Sequence, residues 1–479
     1  MVLDDATCYR ALRSHDARFD GRFFIGVRTT RIYCRPVCTA RVPYRENCRF
    51  FPSAAAAESQ GFRPCLRCRP ELAPGFAAVD ANRRLAQSAA SLIEDGRLVD
   101  ARLPDLAATL GVTDRHLRRV FQDEFGVAPV EYAQTQRLLL AKRLLTDTRM
   151  PVIDVAMSSG FASLRRFNDL FRKRYRMTPG DLRRASKSHE ADQFAFDLAY
   201  RPPYDWDAML AFLGKRAIAG VEVIAGAAYT RSIRVERQGK TYTGYIRVSP
   251  SKRRAALRVV ASASLAPALP TVLARVKHLF DLGCHPDEIA LALGPLGKKH
   301  PGLRLPGAID GFEIAVRAIL GQQVTVHAAT TIAGRFAEAF GEPIEVPGGA
   351  VKTLFPTAAR IASLEPKEVA AQGIIAARAR AIVELARAID GGKLRLDPSS
   401  DVESTVAALE QLPGIGPWTA QYIAMRALAW PDAFPHPDVA VVKAMKQSKP
   451  AAALAASETW RPWRAYAVLH LWKSLENAK

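Results

Sequence analysis

The sequence predicts a multidomain protein, mostly α-helical, with one α+β domain built on a small antiparallel sheet. Three observations carry that prediction. At 479 residues the chain is too long for one ordinary hydrophobic core. Between residues 80 and 185, two helical units repeat at an offset of 49 to 50 residues. From 194 to 305 the helical period gives way to short β-branched and aromatic runs, and it returns from 306 onward. Four segments result: 1–75, 80–185, 194–305 and 306–479.

Composition narrows the function classes. With 49% hydrophobic and 24% charged residues, the chain is globular rather than disordered. A net charge of +21 points to a polyanionic partner, because Lys and Arg displace condensed counterions from phosphate. Solubility alone does not call for so large a single-sign excess. Met1 to Gly21 holds no apolar run flanked by basic residues, so no signal peptide is expected. The apolar stretch Leu257–Val276 is broken by Arg258, Pro267 and Pro270, so no membrane partner is expected. An odd count of seven cysteines argues for a cytoplasmic setting rather than a disulfide scaffold.

Five of those cysteines fall between Cys34 and Cys68. Cys34-x3-Cys38 and Cys65-x2-Cys68 are two short pairs that can converge four thiolates on one tetrahedral ion. Soft sulfur suits zinc or an iron–sulfur cluster. Cys8, Cys48 and Cys284 stand singly and read as small buried hydrophobes. Arginines surround the pairs, among them Arg28, Arg31, Arg35, Arg41, Arg63 and Arg67. The run from Phe23 to Cys38, with Gly61-Phe62-Arg63-Pro64-Cys65, resembles the amino-terminal domain of the Ada adaptive-response family over residues 5–72. The resemblance implies that zinc is held by Cys34, Cys38, Cys65 and Cys68. It also implies that Cys34 irreversibly accepts a methyl group from a methylphosphotriester in DNA, with Arg41, Arg63 and Arg67 near the backbone. The physics agrees, since a metal keeps a thiol deprotonated and nucleophilic. Four thiolates on a divalent ion carry a formal charge of −2, and methylating one reduces it, so the alkylated form is expected to bind DNA more tightly.

In the repeat, Thr113 pairs with Ser163, Leu117 with Phe167, Phe121 with Phe171 and Pro129 with Pro179; upstream, Gly111 pairs with Gly160. Each unit reads as helix, Gly-containing turn, and a helix opened by an N-cap Thr or Ser. That is helix-turn-helix logic. The doubled unit resembles the AraC-type DNA-binding domain. The resemblance implies promoter binding, with Arg115, His116, Arg118, Arg165 and Arg166 as readers and RNA polymerase as a partner. Polar residues 185–193 read as a linker.

In the next segment, strands are expected at Phe196–Tyr200, Tyr229–Val235, Tyr242–Val248 and Leu257–Ala261, with a turn at Gly239-Lys240. Helices are expected at Asp205–Gly214 and Ala268–Phe280. The run Arg201 to Leu213 resembles the start of AlkA-type 3-methyladenine DNA glycosylases. The resemblance implies a small sheet domain ahead of a helical catalytic core, with Phe212 at the base pocket.

From 306 on, an amphipathic helix at Ile309–Leu320 is followed by the turn Gly321-Gln322-Gln323-Val324 and a helix at Ala328–Phe340. Further helices are expected at Thr357–Leu364, Pro366–Ala371, Ala376–Asp390 and Val402–Leu412, with a turn at Gly373-Ile374. Then comes Leu412-Pro413-Gly414-Ile415-Gly416-Pro417-Trp418-Thr419, followed later by Phe434 to Asp438. Glycines at 414 and 416 can turn tightly and let a ligand approach the backbone. The helix start beyond them offers unpaired N–H groups to a phosphate. This stretch resembles the hairpin of helix-hairpin-helix DNA glycosylases. By that resemblance Gly414 and Gly416 grip DNA, Gln323 is the insertion wedge, and Trp418, Tyr422 and Trp472 line the base pocket.

The same resemblance makes Asp438 the catalytic carboxylate. A carboxylate suits this chemistry, because breaking an N-glycosidic bond builds positive charge on the sugar. Aromatic walls suit a cationic alkylated base. No lysine stands at the Schiff-base position of bifunctional relatives, which implies a monofunctional enzyme. Asp432, the nearest other carboxylate, is expected at the surface. Trp430, Trp460 and Trp463 read as core. No Pro-Cys-His-Arg motif of the guanine-repair domain of Ada occurs.

The expected protein is therefore an alkylation-damage repair enzyme and regulator: monomeric, zinc-binding, cytoplasmic and nucleoid-associated in a bacterium. It acts on alkylated double-stranded DNA and on promoter DNA. Two rivals stay open: a regulator whose glycosylase-like half only binds DNA, and a zinc-stabilised repair enzyme with no regulatory role.

Overall fold

The computed structural model describes residues 4–73, 81–94, 102–184, 193–237, 239–252 and 254–476. It is mostly helical, with one five-stranded antiparallel sheet and a smaller sheet near the amino terminus. Among the described residues no helix is long and apolar enough to cross a membrane. Of the linker expected at 185–193, residues 185–192 lie outside the described residues, and Gln193 opens a strand.

The amino-terminal sheet runs in the order Cys48–Phe51, Phe24–Val27, Ile32–Cys34, Arg63–Pro64. Its last pair is parallel, placing Tyr33 beside Pro64. Gly26 is required there, because a Cβ would sit 2.7 Å from the Phe51 ring and 2.8 Å from that of Phe62.

Both reader units form as the repeat predicts. Helices Leu103–Thr109 and Val152–Ser158 turn at Gly111 (φ +68°) and Gly160 (φ +84°) into helices Asp114–Phe125 and Leu164–Tyr175. Thr113 accepts the His116 N–H at 3.2 Å and Ser163 accepts that of Arg166 at 3.3 Å, so both N-caps are real. A 19-residue helix, Pro129–Asp147, joins the units, and Pro129 and Pro179 each open the helix that follows.

The five-stranded sheet runs Gln193–Ala199, Ala256–Ser262, Lys240–Pro250, Ala228–Arg237, Glu222–Ala225. Four of these are the expected strands. The fifth, Glu222–Ala225, escaped sequence reading because it is short and opens on a charge. Glu222 is nevertheless buried: it takes the Tyr229 hydroxyl and pairs with Arg317, while Arg231 binds Glu313 at 2.6 Å. This buried network joins the sheet to helix Gly311–Leu320. Arginine on both sides holds the Glu313 carboxyl down to about 2, although burial pushes the other way.

Helix Gly311–Leu320, capped by Asp310, sits at the centre of the carboxy-terminal core. Sequence suggested one apolar face, but the helix is buried nearly all round, from Phe312 to Leu320 apart from Arg317. Around it pack helices Val326–Phe340, Ala376–Asp390, Val402–Glu410 and Pro417–Ala427.

Candidate functional site

Pro417 opens the helix Pro417–Ala427, and Gly416 is its N-cap. Proline has no N–H to waste at that position, and the first-turn amides of Trp418 and Thr419 have no partner inside the helix. Gly414 takes φ +80°, where a side chain is disfavoured, and leans on Ala381 of the neighbouring helix. Gly416 differs: its φ of −96° suits any residue, and nothing lies within 4 Å of a Cβ built on it. The fold does not require that glycine. Its bareness leaves clearance for something outside the protein.

Asp438 is the N-cap of helix Val439–Ala444. Its Oδ1 accepts the Val441 amide at 2.9 Å and the Trp472 indole N–H at 3.2 Å. Its Oδ2 accepts the Trp418 indole N–H at 2.9 Å. The half-buried carboxylate is thus gripped by the rings flanking it, and among the described residues it forms no ion pair. Tyr422 stacks on Trp418, with centroids 5.3 Å apart and planes at 12°. Trp472 lies 6.4 Å from Tyr422. Phe212 completes the group from the sheet segment, beneath the guanidinium of Arg216 at 3.8 Å and near that of Arg426 at 5.1 Å. Trp418, Tyr422, Trp472, Phe212 and Asp438, scattered over more than two hundred positions, therefore meet.

Two neighbours here gave no signal in the sequence. Arg426 donates to the Tyr422 hydroxyl at 2.6 Å. Burial would raise that hydroxyl, but Arg426 and then Arg216 hold it below its ordinary value. Gln322 donates to the Gly414 carbonyl at 2.8 Å and to Thr419 Oγ1 at 3.0 Å. Beside it, Gln323 is exposed at the left-handed φ of +51°.

Asp432 corrects the sequence expectation. It is 5% exposed, not at the surface, and is locked between Arg464, at 2.8 and 2.9 Å, and Arg461. Apolar neighbours hide the loop, which the flanking proline could not reveal. Trp463 is buried, and Trp430 and Trp460 pack on the core as expected.

At the other end of the molecule, the sulfurs of Cys34, Cys38, Cys65 and Cys68 all lie within 4.8 Å of one another. Four Zn–S bonds of about 2.3 Å require tetrahedral sulfurs about 3.8 Å apart, so the donor set fits one such ion. Cys34 and Cys68 are half-buried, and Cys38 and Cys65 are buried. Cys8, Cys48 and Cys284 are buried singly, as expected. Arg35 does not belong to the basic surface: it is buried against Asp20 and donates to the Cys68 carbonyl at 3.1 Å. Arg41 and Arg67 are exposed and Arg63 is half-buried. On the reader helices Arg115, Arg118, Arg165 and Arg166 are all exposed, and His116 is half-buried.

Four stretches match known families: residues 7–71 the metal binding domain of Ada, 106–185 a helix-turn-helix domain, 195–310 the AlkA N-terminal domain, and 316–461 the HhH-GPD superfamily base excision DNA repair protein. The chain is 38% identical, over 99% of its length and 97% of the relative, to a "probable bifunctional transcriptional activator/DNA repair enzyme AlkA" of Mycobacterium tuberculosis. It is 40% identical to DNA-3-methyladenine glycosylase 2 of Escherichia coli, over 58% of this chain and 96% of that one. It is 33% identical to the bifunctional transcriptional activator/DNA repair enzyme AdaA of Bacillus subtilis, over 40% of this chain and 87% of that one.

Proposed function

The chain belongs to the AlkA family of bifunctional transcriptional activator/DNA repair enzymes, and from that premise we propose that its glycosylase half hydrolyses the N-glycosidic bond of alkylated purines of the 3-methyladenine type, with Asp438 as the essential carboxylate. One observation carries this reading: the indole N–H groups of Trp418 and Trp472 fix both oxygens of that carboxylate at the mouth of an aromatic cleft.

In this reading Gly414, Gly416 and the open helix start grip the DNA backbone. Gln323 enters the duplex, and the damaged nucleotide swings out at a cost of a few kcal/mol. Tyr422, Trp472 and Phe212 receive the base, whose cationic charge favours π faces. As the bond breaks, the sugar becomes positive beside the Asp438 carboxylate, which stabilises it or orients the attacking water. A fixed carboxylate needs no reorganisation at that moment. The alkylated base leaves readily, so one carboxylate suffices, and the product is an abasic site without strand cleavage.

Base release from methylated duplex tests this reading. Asp438→Asn keeps a competent N-cap yet removes the charge, and it is expected to slow release by about 10²-fold or more. Release at the wild-type rate sinks the enzyme reading and leaves a half that only binds DNA.

In the amino-terminal domain, zinc on the four cysteines would keep their sulfurs as thiolates. Cys34 then attacks the methyl carbon of a phosphotriester. The S–C bond forms, the C–O bond breaks with its electron pair going to oxygen, and a phosphodiester anion leaves. The thioether has no route back, so each chain reacts once. Exposure supports Cys34 over the buried pair, and Cys68 Sγ is already engaged by the Arg35 amide at 3.4 Å. The charge lost on methylation strengthens promoter binding through Arg115, Arg118, Arg165 and Arg166, aided by Arg41, Arg63 and Arg67. The chain then acts as a monomeric cytoplasmic activator that engages RNA polymerase. Cys34→Ser is expected to gain no methyl mass from methylated DNA; a methylated Cys34→Ser protein assigns the acceptor elsewhere.

A further inference from the structure

The hairpin and the turn that carries Gln323 come from separate parts of the sequence, yet one side chain ties them together. Both hydrogens of the Gln322 amide are committed to the hairpin region, one to the Gly414 carbonyl at 2.8 Å and one to Thr419 Oγ1 at 3.0 Å. Thr419 is 2% exposed, so that acceptor is fixed in the first turn of helix Pro417–Ala427. The Gln322 backbone carbonyl is taken by Arg378 of helix Ala376–Asp390, the same helix on which Gly414 leans. The next residue, Gln323, is held exposed with φ +51°. A non-glycine residue there costs on the order of 1 kcal/mol and persists only where the surroundings impose it.

We propose that Gln322 is a positioning residue that sets the distance and angle between the backbone grip and the inserted Gln323 side chain. The proposal rests on the reading of Gln323 as the wedge and of the hairpin as the grip. A duplex seized at a phosphate by the hairpin meets a wedge whose offset is already fixed, so binding energy goes into opening the base pair rather than into ordering the turn. With the tether cut, the hairpin still grips, but the turn relaxes from its left-handed residue and the wedge arrives out of register.

The test uses the full chain as wild type, Gln322→Met, Gln323→Ala and the double variant. Met keeps the length of Gln and removes both donors. The duplex carries one 3-methyladenine-type lesion analogue beside a 2-aminopurine reporter. Base opening is read from the fluorescence rise, base release from single-turnover rates at saturating enzyme, and grip from affinity for an undamaged duplex. Gln322→Met is expected to lower base opening and the single-turnover rate by about tenfold or more, since small misplacements of a working group cost that much. Affinity for undamaged duplex is expected to stay within about twofold, and the double variant to be no slower than Gln323→Ala, because residues acting through one another are not additive. Wild-type opening in Gln322→Met overturns the proposal. So do losses that multiply in the double variant, or affinity that falls in step with rate. If Gln322→Met fails to fold by circular dichroism, Thr419→Val removes one acceptor isosterically and must show a smaller loss of the same pattern. Should wild type open the base pair yet release nothing, base excision fails as the activity while the fluorescence arm still decides the role of Gln322.

Discussion

Asp438 and Asp432 are six positions apart, and the two carboxylates have opposite surroundings. Asp438 is held by neutral donors and stays half-open, while Asp432 is closed off between Arg461 and Arg464. Removing the charge of Asp432 strands the buried Arg464, so Asp432→Asn is expected to cost about 3–5 kcal/mol of stability in denaturant titrations. Asp438→Asn, by contrast, is expected to move the midpoint little. If the two variants lost stability equally, Asp438 would be a structural cap first. Sequence identified Asp438, Trp418, Tyr422 and Trp472 because a local motif orders them. It missed Gln322, Arg216 and Arg426 because their roles depend on partners up to two hundred residues away, which no local pattern encodes.

At the scale of elements, the second cysteine pair is embraced by the reader rather than by its own domain. Just past Cys68, Arg69 binds Asp147 at 2.8 Å and Glu71 binds Lys142 at 2.8 Å, both on helix Pro129–Asp147. Glu58 accepts the hydroxyls of Tyr33, beside Cys34, and of Thr135 on that same helix, while Arg174 of the second reader helix caps the Glu58 carbonyl. Burial raises the Glu58 carboxyl from 4.5 to about 7, against the pull of Tyr33 and Arg174. The folded chain therefore holds a proton that the unfolded chain releases between these values, so folding loses stability as pH rises from 4.5 to 7 and then levels off. Glu58→Gln, a mimic of the protonated acid, should match wild type at and below pH 4.5 and gain Tm over it progressively up to pH 7. Equal Tm differences at pH 4 and 8 would show that Glu58 is not the titrating group. Helix and strand positions were legible from period and caps; this clasp was not, since Glu58 reads as an ordinary surface acid on a short Ala-rich helix.

At the scale of the whole molecule, the hydrophobic cores do not follow the four segments drawn from sequence. One core unites Phe24, Tyr33, Phe51 and Phe62 of the metal-binding sheet with Leu117, Phe121 and Phe125 of the first reader helix. Another unites Phe167, Phe171 and Tyr175 of the second with Phe194, Phe196 and Leu198 of the large sheet. Arg143 lies over the Phe196 ring at 4.1 Å. A protease site inserted near residue 188, once cut, is therefore expected to leave two fragments that co-elute in gel filtration without denaturant. Free separation would mean that this seam is too weak to hold the reader against the enzyme.

That shared seam also bears on how such a chain could be pruned. Deleting everything before the large sheet would bare Phe194, Phe196 and Leu198 to water along one strand, inviting self-association. A free-standing excision enzyme carved from this sequence would need polar replacements at those sites, so the merger resists reversal: shedding the sensor demands several coordinated changes, whereas keeping it demands none.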